Sequence, residues 1–281
     1  MSLDRLINLL VTVTLIEMMV LTGLRVTFGE LAQVVGNLRL VTRAAVANYL
    51  LVPAFAVLLL VMFAAEPMVA AGFLVLAVCP GAPFGPLFAG IARANVPEAV
   101  GLMVILAGSS AIVSPLLLTA LMPWLAGGSV ARIDPAGMVG ALLATQLLPL
   151  LVGLLVKHWR PHVADRLAGP LELVSKVLNL GVVGLILASQ FQMLADIRLR
   201  GFAGMLWLLG GSLLIGWLAG ASNRDSRRTM ALTTALRNVG VGLVIVTGNF
   251  AGTPAVSAAL AYGIVEVLGS LLVALWWRRS A

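Results

Sequence analysis

Short polar breaks divide the 281 residues of this chain into nine apolar segments, near residues 5–27, 40–62, 68–92, 97–122, 136–157, 168–192, 201–221, 227–248 and 254–277. A helix needs about 20 apolar residues to cross about 30 Å of hydrocarbon, and each segment is long enough. The chain is 61% apolar and 10% charged, where ordinary soluble chains have ~45–50% and ~25%. The expected fold is all-α: a polytopic membrane protein of nine transmembrane helices, one transmembrane domain over residues 1–281. A soluble enzyme, a disordered scaffold and a disulfide-stapled secreted domain are excluded.

The net charge of +7 would suggest nucleic acid in a soluble protein. In a multispan protein, Lys and Arg instead collect in cytoplasmic loops, so the expected surroundings are the lipid bilayer and no nucleic acid. Twelve basic residues, from Arg25, Arg39 and Arg43 to Arg278 and Arg279, fall on one side, and Arg5, Arg132, Arg198 and Arg200 on the other. This orientation puts the C-terminus in the cytoplasm and the N-terminus outside a cell inner (plasma) membrane. The opening Met-Ser-Leu-Asp-Arg has no basic stretch followed by a cleavage site, so the first segment reads as a retained span. Cys79 is the single cysteine, and His158 and His162 share a polar loop with Pro161, so no metal or disulfide set is expected. The loops are too short for a catalytic domain. No Ser/Lys, G-x-S-x-G, H-E-x-x-H or paired-aspartate arrangement marks an enzyme.

Two segments are poor helices. The third carries Cys79-Pro80-Gly81-Ala82-Pro83-Phe84-Gly85-Pro86, three prolines and two glycines in eight residues. Each proline removes a donor and clashes with the preceding turn. Unwound backbone at membrane depth survives only buried in protein or lining a cavity. The eighth segment has Arg237 and Asn238 at its centre, after Thr233 and Thr234. Paired interrupted spans in corresponding halves point to a secondary-transporter site at the midplane.

The stretch V-C-P-G-A-P-F-G-P-L-F-A-G-I-A-R-A-N-V-P-E-A-V, followed by S-S-A-I-V-S-P-L-L, resembles the bile acid:sodium symporter family. Members of that family have a C-P-G-G-T-A-S-N break, an A-R-G-D/N-like turn and an S-T-L-L-x-P-L segment. Thr22-Gly23-Leu24 through Phe28-Gly29-Glu30-Leu31 resembles the family's M-G-L…F segment, and Ala235-Leu236-Arg237-Asn238 falls at its E-x-G-x-Q-N motif. The resemblance implies an inverted repeat with two broken crossing helices and the first helix missing. It also implies alternating access between a core (near 40–122 and 201–250, in part) and a panel (near 5–27, 136–192 in part, and 254–277).

Family members hold two sodium ions with the Ser-Asn pair after the first break, hydroxyls in the next span, and the Glu and Gln of E-x-G-x-Q-N. The resemblance places Gly85-Pro86, Ala111, Thr233 and Arg237 at those positions and keeps only Asn238. Proline, alanine and arginine offer no side-chain oxygen, so family-type sodium coupling is expected to be altered or absent, with no other cofactor. A fixed arginine gives the same local charge as two sodium ions with one carboxylate, and its planar fork suits an anion. The expected substrate is therefore a small organic anion. Arg237 would bind its charged group, Asn238, Thr233 and Thr234 would make polar contacts, and Pro80, Gly81, Phe84 and Pro86 would form a second wall, with Ser110 nearby.

Glu266 is expected to belong to the same substrate site, or else to pair with Arg237 or carry a proton, and Glu17 is the other candidate partner. Intramembrane ionisable residues cost at least ~2.5–3.5 kcal/mol. Glu172 and Lys176 are spaced to pair along one helix. The alternatives are a conventional sodium-coupled symporter and an anion uniporter or channel-like pathway.

Overall fold

The computed structural model describes residues 3–126, 134–189, 191–192, 197, 199–220 and 223–279. Among the described residues every regular element is helical. The order is α1 (Leu3–Leu24), α2 (Phe28–Gly36), α3 (Leu38–Met62), α4 (Pro67–Ala77), α5 (Gly85–Ile91), α6 (Val96–Ala126), α7 (Pro135–Trp159), α8 (Pro161–Ser189), α9 (Leu199–Ala219), α10 (Arg224–Ala235), α11 (Val239–Asn249) and α12 (Pro254–Arg279). Each of α1, α3, α6, α7, α8, α9 and α12 is one span, while α4/α5 and α10/α11 are the two interrupted ones. The protein is thus an all-α, multi-pass membrane protein: among the described residues eight helical segments, counting α10/α11 as one, are long and apolar enough to cross a membrane, and the shorter α4 with α5 stands where the ninth is expected. Of the charges assigned to the outer side, Arg132 and Arg198 lie outside the described residues.

The first connection, read from sequence as a loop, contains the short helix α2. Its start is set by a capping box: Glu30 N–H donates to Thr27 Oγ1 at 3.3 Å while Thr27 N–H donates to the Glu30 carboxylate at 2.8 Å. These bonds satisfy two donors that a helix start leaves orphaned.

One group of helices is α1, α7 and α8. Without a hydrophobic drive between helices in lipid, close backbone approach at small residues supplies the packing. Gly23 and Gly153 face each other here: a methyl on Gly23 would stand 2.2 Å from the Leu150 carbonyl, and one on Gly153 2.2 Å from that of Val20. Polar contacts add to this seam. Ser175 Oγ of α8 donates to Glu17 at 2.5 Å. Glu172 takes both Lys176, at 3.0 Å along the same helix, and Arg25, just past the end of α1, at 2.5 Å. The remaining spans gather about the two interrupted ones, with α12 along α4, α9 along α10, and α6 beside both α4 and α5.

Candidate functional site

The first break runs between Ala77 and Gly85. The ring nitrogens of Pro80, Pro83 and Pro86 cannot donate, so an unbroken ladder is chemically unavailable there. Gly81 turns the chain at φ 88°, and a methyl on it would lie 2.3 Å from the Ala107 nitrogen of α6. Both requirements select glycine. The freed backbone is re-satisfied by α6, where Ser114 Oγ donates to the Val78 carbonyl at 2.6 Å. Ser110 Oγ donates to Ala107 O at 2.7 Å and accepts from Gln146 of α7 at 3.0 Å; Gln146 also donates to Ala107 O. Phe84 is 38% exposed and leans away from this packing, and Pro86 is half-buried.

The second break, Leu236–Asn238, contains neither proline nor glycine. Leu236 leaves α10 in an extended conformation, and Asn238 starts α11 by accepting the Val241 N–H on Oδ1 at 3.2 Å. Asn238 also joins the two breaks directly. Its backbone N–H donates to Cys79 O at 2.7 Å, and its amide donates to Gly81 O at 3.3 Å. Around this link α10 packs on α5 and α11 on α4, so the interrupted spans cross.

Arg237, 1% exposed, lies at the crossing. Its Nη1 donates to Ala77 O at 3.3 Å, and its Nη2 donates to Asn48 Oδ1 at 2.9 Å and to Thr234 O. Ala77 and Thr234 end α4 and α10, so one guanidinium serves the carbonyl ends of two half-helices. A cation there complements both the unpaired carbonyls and the helix dipoles. Nε has no partner. No carboxylate is within ion-pair distance of this guanidinium among the described residues. Glu266 bonds instead to the Arg237 main chain, with Oε1 accepting that N–H at 2.8 Å, while Glu17 is turned to Ser175 on another helix.

The structure therefore brings Arg237, Asn238, Thr234, Gly81 and Glu266 into one bonded cluster, with Pro80 buried beside Gly81. Thr233 is buried close by with an unpartnered hydroxyl, and Ser110 reaches the first break through Ala107. Two residues missed by sequence reasoning are Asn48 and Gln146. Each lies in a π-helical turn, Ala47–Leu51 and Leu143–Leu147, and each precedes a proline, Pro53 or Pro149. An amide shortly before a proline inside an apolar run was the available signal, since π turns mark functional positions in helices. A cavity of about 630 Å³ lies elsewhere, between α3, α4, α9 and α12, with Phe63, Phe73, Arg200 and Ser257 in its wall and none of the expected site residues.

An all-helical, multi-pass protein in which two interrupted spans meet backbone to backbone belongs to the architectural class of secondary transporters. Residues 12–197 match the Sodium Bile acid symporter family. The chain belongs to that family, a family of transporters and not of enzymes. It is 25% identical over 279 residues to the probable sodium/metabolite cotransporter BASS2, chloroplastic, of Oryza sativa subsp. japonica, covering 96% of this chain and 64% of that protein. It is 23% identical over 215 residues to the uncharacterized sodium-dependent transporter YocS of Bacillus subtilis, covering 75% of this chain and 65% of YocS. Against the probable sodium/metabolite cotransporter BASS1, chloroplastic, of Arabidopsis thaliana, identity is 28% over 225 residues, covering 76% and 53% respectively. The chain thus spans about half to two-thirds of the length of these relatives. The second break and Glu266 lie beyond the family-matched segment.

Proposed function

We propose that this protein is a secondary transporter moving a small or amphipathic organic anion by alternating access, with a fixed arginine in place of the family's sodium ions. The observation that carries this reading is the Arg237 guanidinium, buried at the crossing and bonded to the carbonyl ends of α4 and α10. Those oxygens are what a bound cation would take, and a second cation beside the guanidinium would be repelled. With both Nη groups engaged, Arg237 acts on the substrate through its charge and its free Nε, and the Thr233 hydroxyl and Asn238 supply further polar contacts.

The panel is α1, α7 and α8, and the core holds the crossing together with α3, α6, α9 and α12. We place α12 in the core because it packs along α4. The two breaks lie five spans apart, as in an inverted repeat whose first half lacks one helix. The protein sits in a plasma membrane with its C-terminus cytoplasmic. The names of the relatives support a small-metabolite substrate and favour one second reading, ordinary sodium symport.

Uptake of taurocholate and of p-toluenesulfonate into proteoliposomes, with and without a sodium gradient, separates the two. Saturable uptake indifferent to sodium is expected, and conductance without saturation would instead mean a channel. The pair Thr233→Glu with Arg237→Gln restores the side chains that the family motif implies and is expected to make uptake sodium-dependent. Strict sodium dependence of the unaltered protein would overturn the fixed-charge mechanism.

A further inference from the structure

Besides two nitrogens of Arg228 in the first turns of α10, six buried side-chain atoms without a hydrogen-bond partner belong to the second break and to α9, α10 and α12, which pack against one another. They are Ser212 Oγ and Tyr262 Oη, which lie near each other, with Thr233 Oγ1, Arg237 Nε, Glu266 Oε2 and Ser270 Oγ. Unpaired buried polar atoms are rare in native proteins and mark an unfilled role. Three of them form a stripe, because Tyr262, Glu266 and Ser270 recur every fourth residue along α12 and share one face. Going back one more turn, the stripe meets Ala258, which lines the cavity of about 630 Å³. The cavity wall also contains Phe73, whose ring stacks against that of Tyr262 at 5.6 Å between centroids. Toward the other end of α12 the stripe stops at Ala274, buried in an apolar cluster with Leu232, Leu236 and Phe88. The polar file thus ends one turn from the cavity, with Ala258 and Phe73 between the cavity and the fully buried Tyr262, and is plugged at its other end.

We propose that Glu266 is a proton-binding site, loaded from this cavity through the Tyr262 hydroxyl, and that its proton sets the charge of the crossing. In this scheme hydronium in the cavity gives a proton to Tyr262 Oη, which passes its own to Glu266 Oε2, leaving water, a restored phenol and a neutral carboxyl; the two side-chain atoms are not hydrogen-bonded in the structure, so the hand-over requires them to come together. A proton needs one lone pair and no void, which suits the closed α9–α12 seam, where a methyl on Gly269 would stand 2.2 Å from Leu209.

The facing charged and titratable groups are few. Tyr262 is on the same helix and Arg237 on the second break, with Cys79 of the first break and Tyr49 of α3 beyond Arg237. Helices α4, α5 and α11 have no titratable side chain. The charges of α10 lie in its first turns, where Arg228 is over Trp277, and those of α8 lie between His162 and Lys176. On α9 the charge is Arg200, at the cavity with Glu66. With Glu266 ionised, Arg237 and Glu266 cancel; with Glu266 protonated, the crossing carries a net positive charge. Because Glu266 Oε1 holds the Arg237 N–H at 2.8 Å, loading acts directly on the second break. On the transport reading given above, protonation prepares the crossing for an anion, and one proton moves with one monovalent anion.

The test uses sulfonates, which stay ionised and carry no proton across lipid by themselves. Taurocholate entry into proteoliposomes holding a pH-sensitive dye, without sodium, is expected to acidify the interior. Glu266→Gln is expected to abolish acidification and gradient-driven uptake while keeping taurocholate exchange. Tyr262→Phe, which keeps the ring, is expected to slow acidification and serves as the second variant if Glu266→Gln does not fold. Uptake without acidification, or acidification unchanged in a folded Glu266→Gln protein, overturns the proposal. If neither taurocholate nor p-toluenesulfonate enters, the transport reading fails, and infrared spectroscopy decides the proton site separately. A protonated-carboxyl band that titrates with pH and is missing from Glu266→Gln supports it, and no such band at any pH overturns it.

Discussion

The two breaks reach the same geometry by opposite chemistry. The first is broken by subtraction: three prolines in eight residues delete donors, and Gly81 takes a positive φ. The second has a full set of donors and could continue as helix, yet it opens. Polar side chains offer it something better. Asn238 caps α11 and bonds to the first break, and Arg237 bridges the carbonyl ends of α4 and α10. One interruption is built into the backbone; the other is held open from outside by tertiary contacts.

That contrast can be broken at its strongest point. Replacing Arg237 by Leu leaves two helix ends and Asn48 without their cation. Each buried oxygen left unpaired costs about 1–3 kcal/mol, and three lose their donor. Thermal unfolding of the purified protein should register a large loss, and stability equal to the unaltered chain would mean that the second break does not depend on its arginine. The first break should answer to shape instead. Gly81→Ala adds left-handed strain of about 1–2 kcal/mol and overpacks against Ala107 by about 1–3 kcal/mol. The same measurement checks it, with lost uptake expected alongside; a neutral result would show that the turn relaxes. Smallest is Ser114→Ala, which removes one buried bond to the Val78 carbonyl and should cost about 0.5–1.5 kcal/mol. A larger loss would reveal that the first break also relies on side-chain contacts and would narrow the difference between the two.

The spans were legible because apolar length is a local property, and the first break because proline and glycine act where they stand. Density matters, since Pro115, Pro123 and Pro170 all lie inside continuous helices, and only the cluster around Gly81 unwinds its span. At the second break the sequence displayed the unusual side chains but not their partners. The sequence reading gives the Arg237 fork to an anion, whereas its Nη groups lie on Ala77 O, Thr234 O and Asn48. Which carbonyls are left wanting at Ala77 depends on another span. Ser114, an ordinary serine in an apolar span, bonds to Val78 O. α2 has a local signal as well, Thr27 with Glu30 three residues later, but its nine residues are too few to stand out as an apolar segment.

The π turns at Ala47–Leu51 and Leu143–Leu147 each accommodate one residue more than a regular ladder. Removing one residue from such a turn would restore an α-helix and rotate everything on one side of it by roughly 100° relative to the other. Asn48 and Gln146 thus owe their direction to chain length as much as to side-chain identity. Among descendants of a common ancestor, a single-residue insertion or deletion inside these apolar spans is then a heritable way to re-aim an amide at the crossing, and a one-residue gap there in an alignment of relatives would record function, not error.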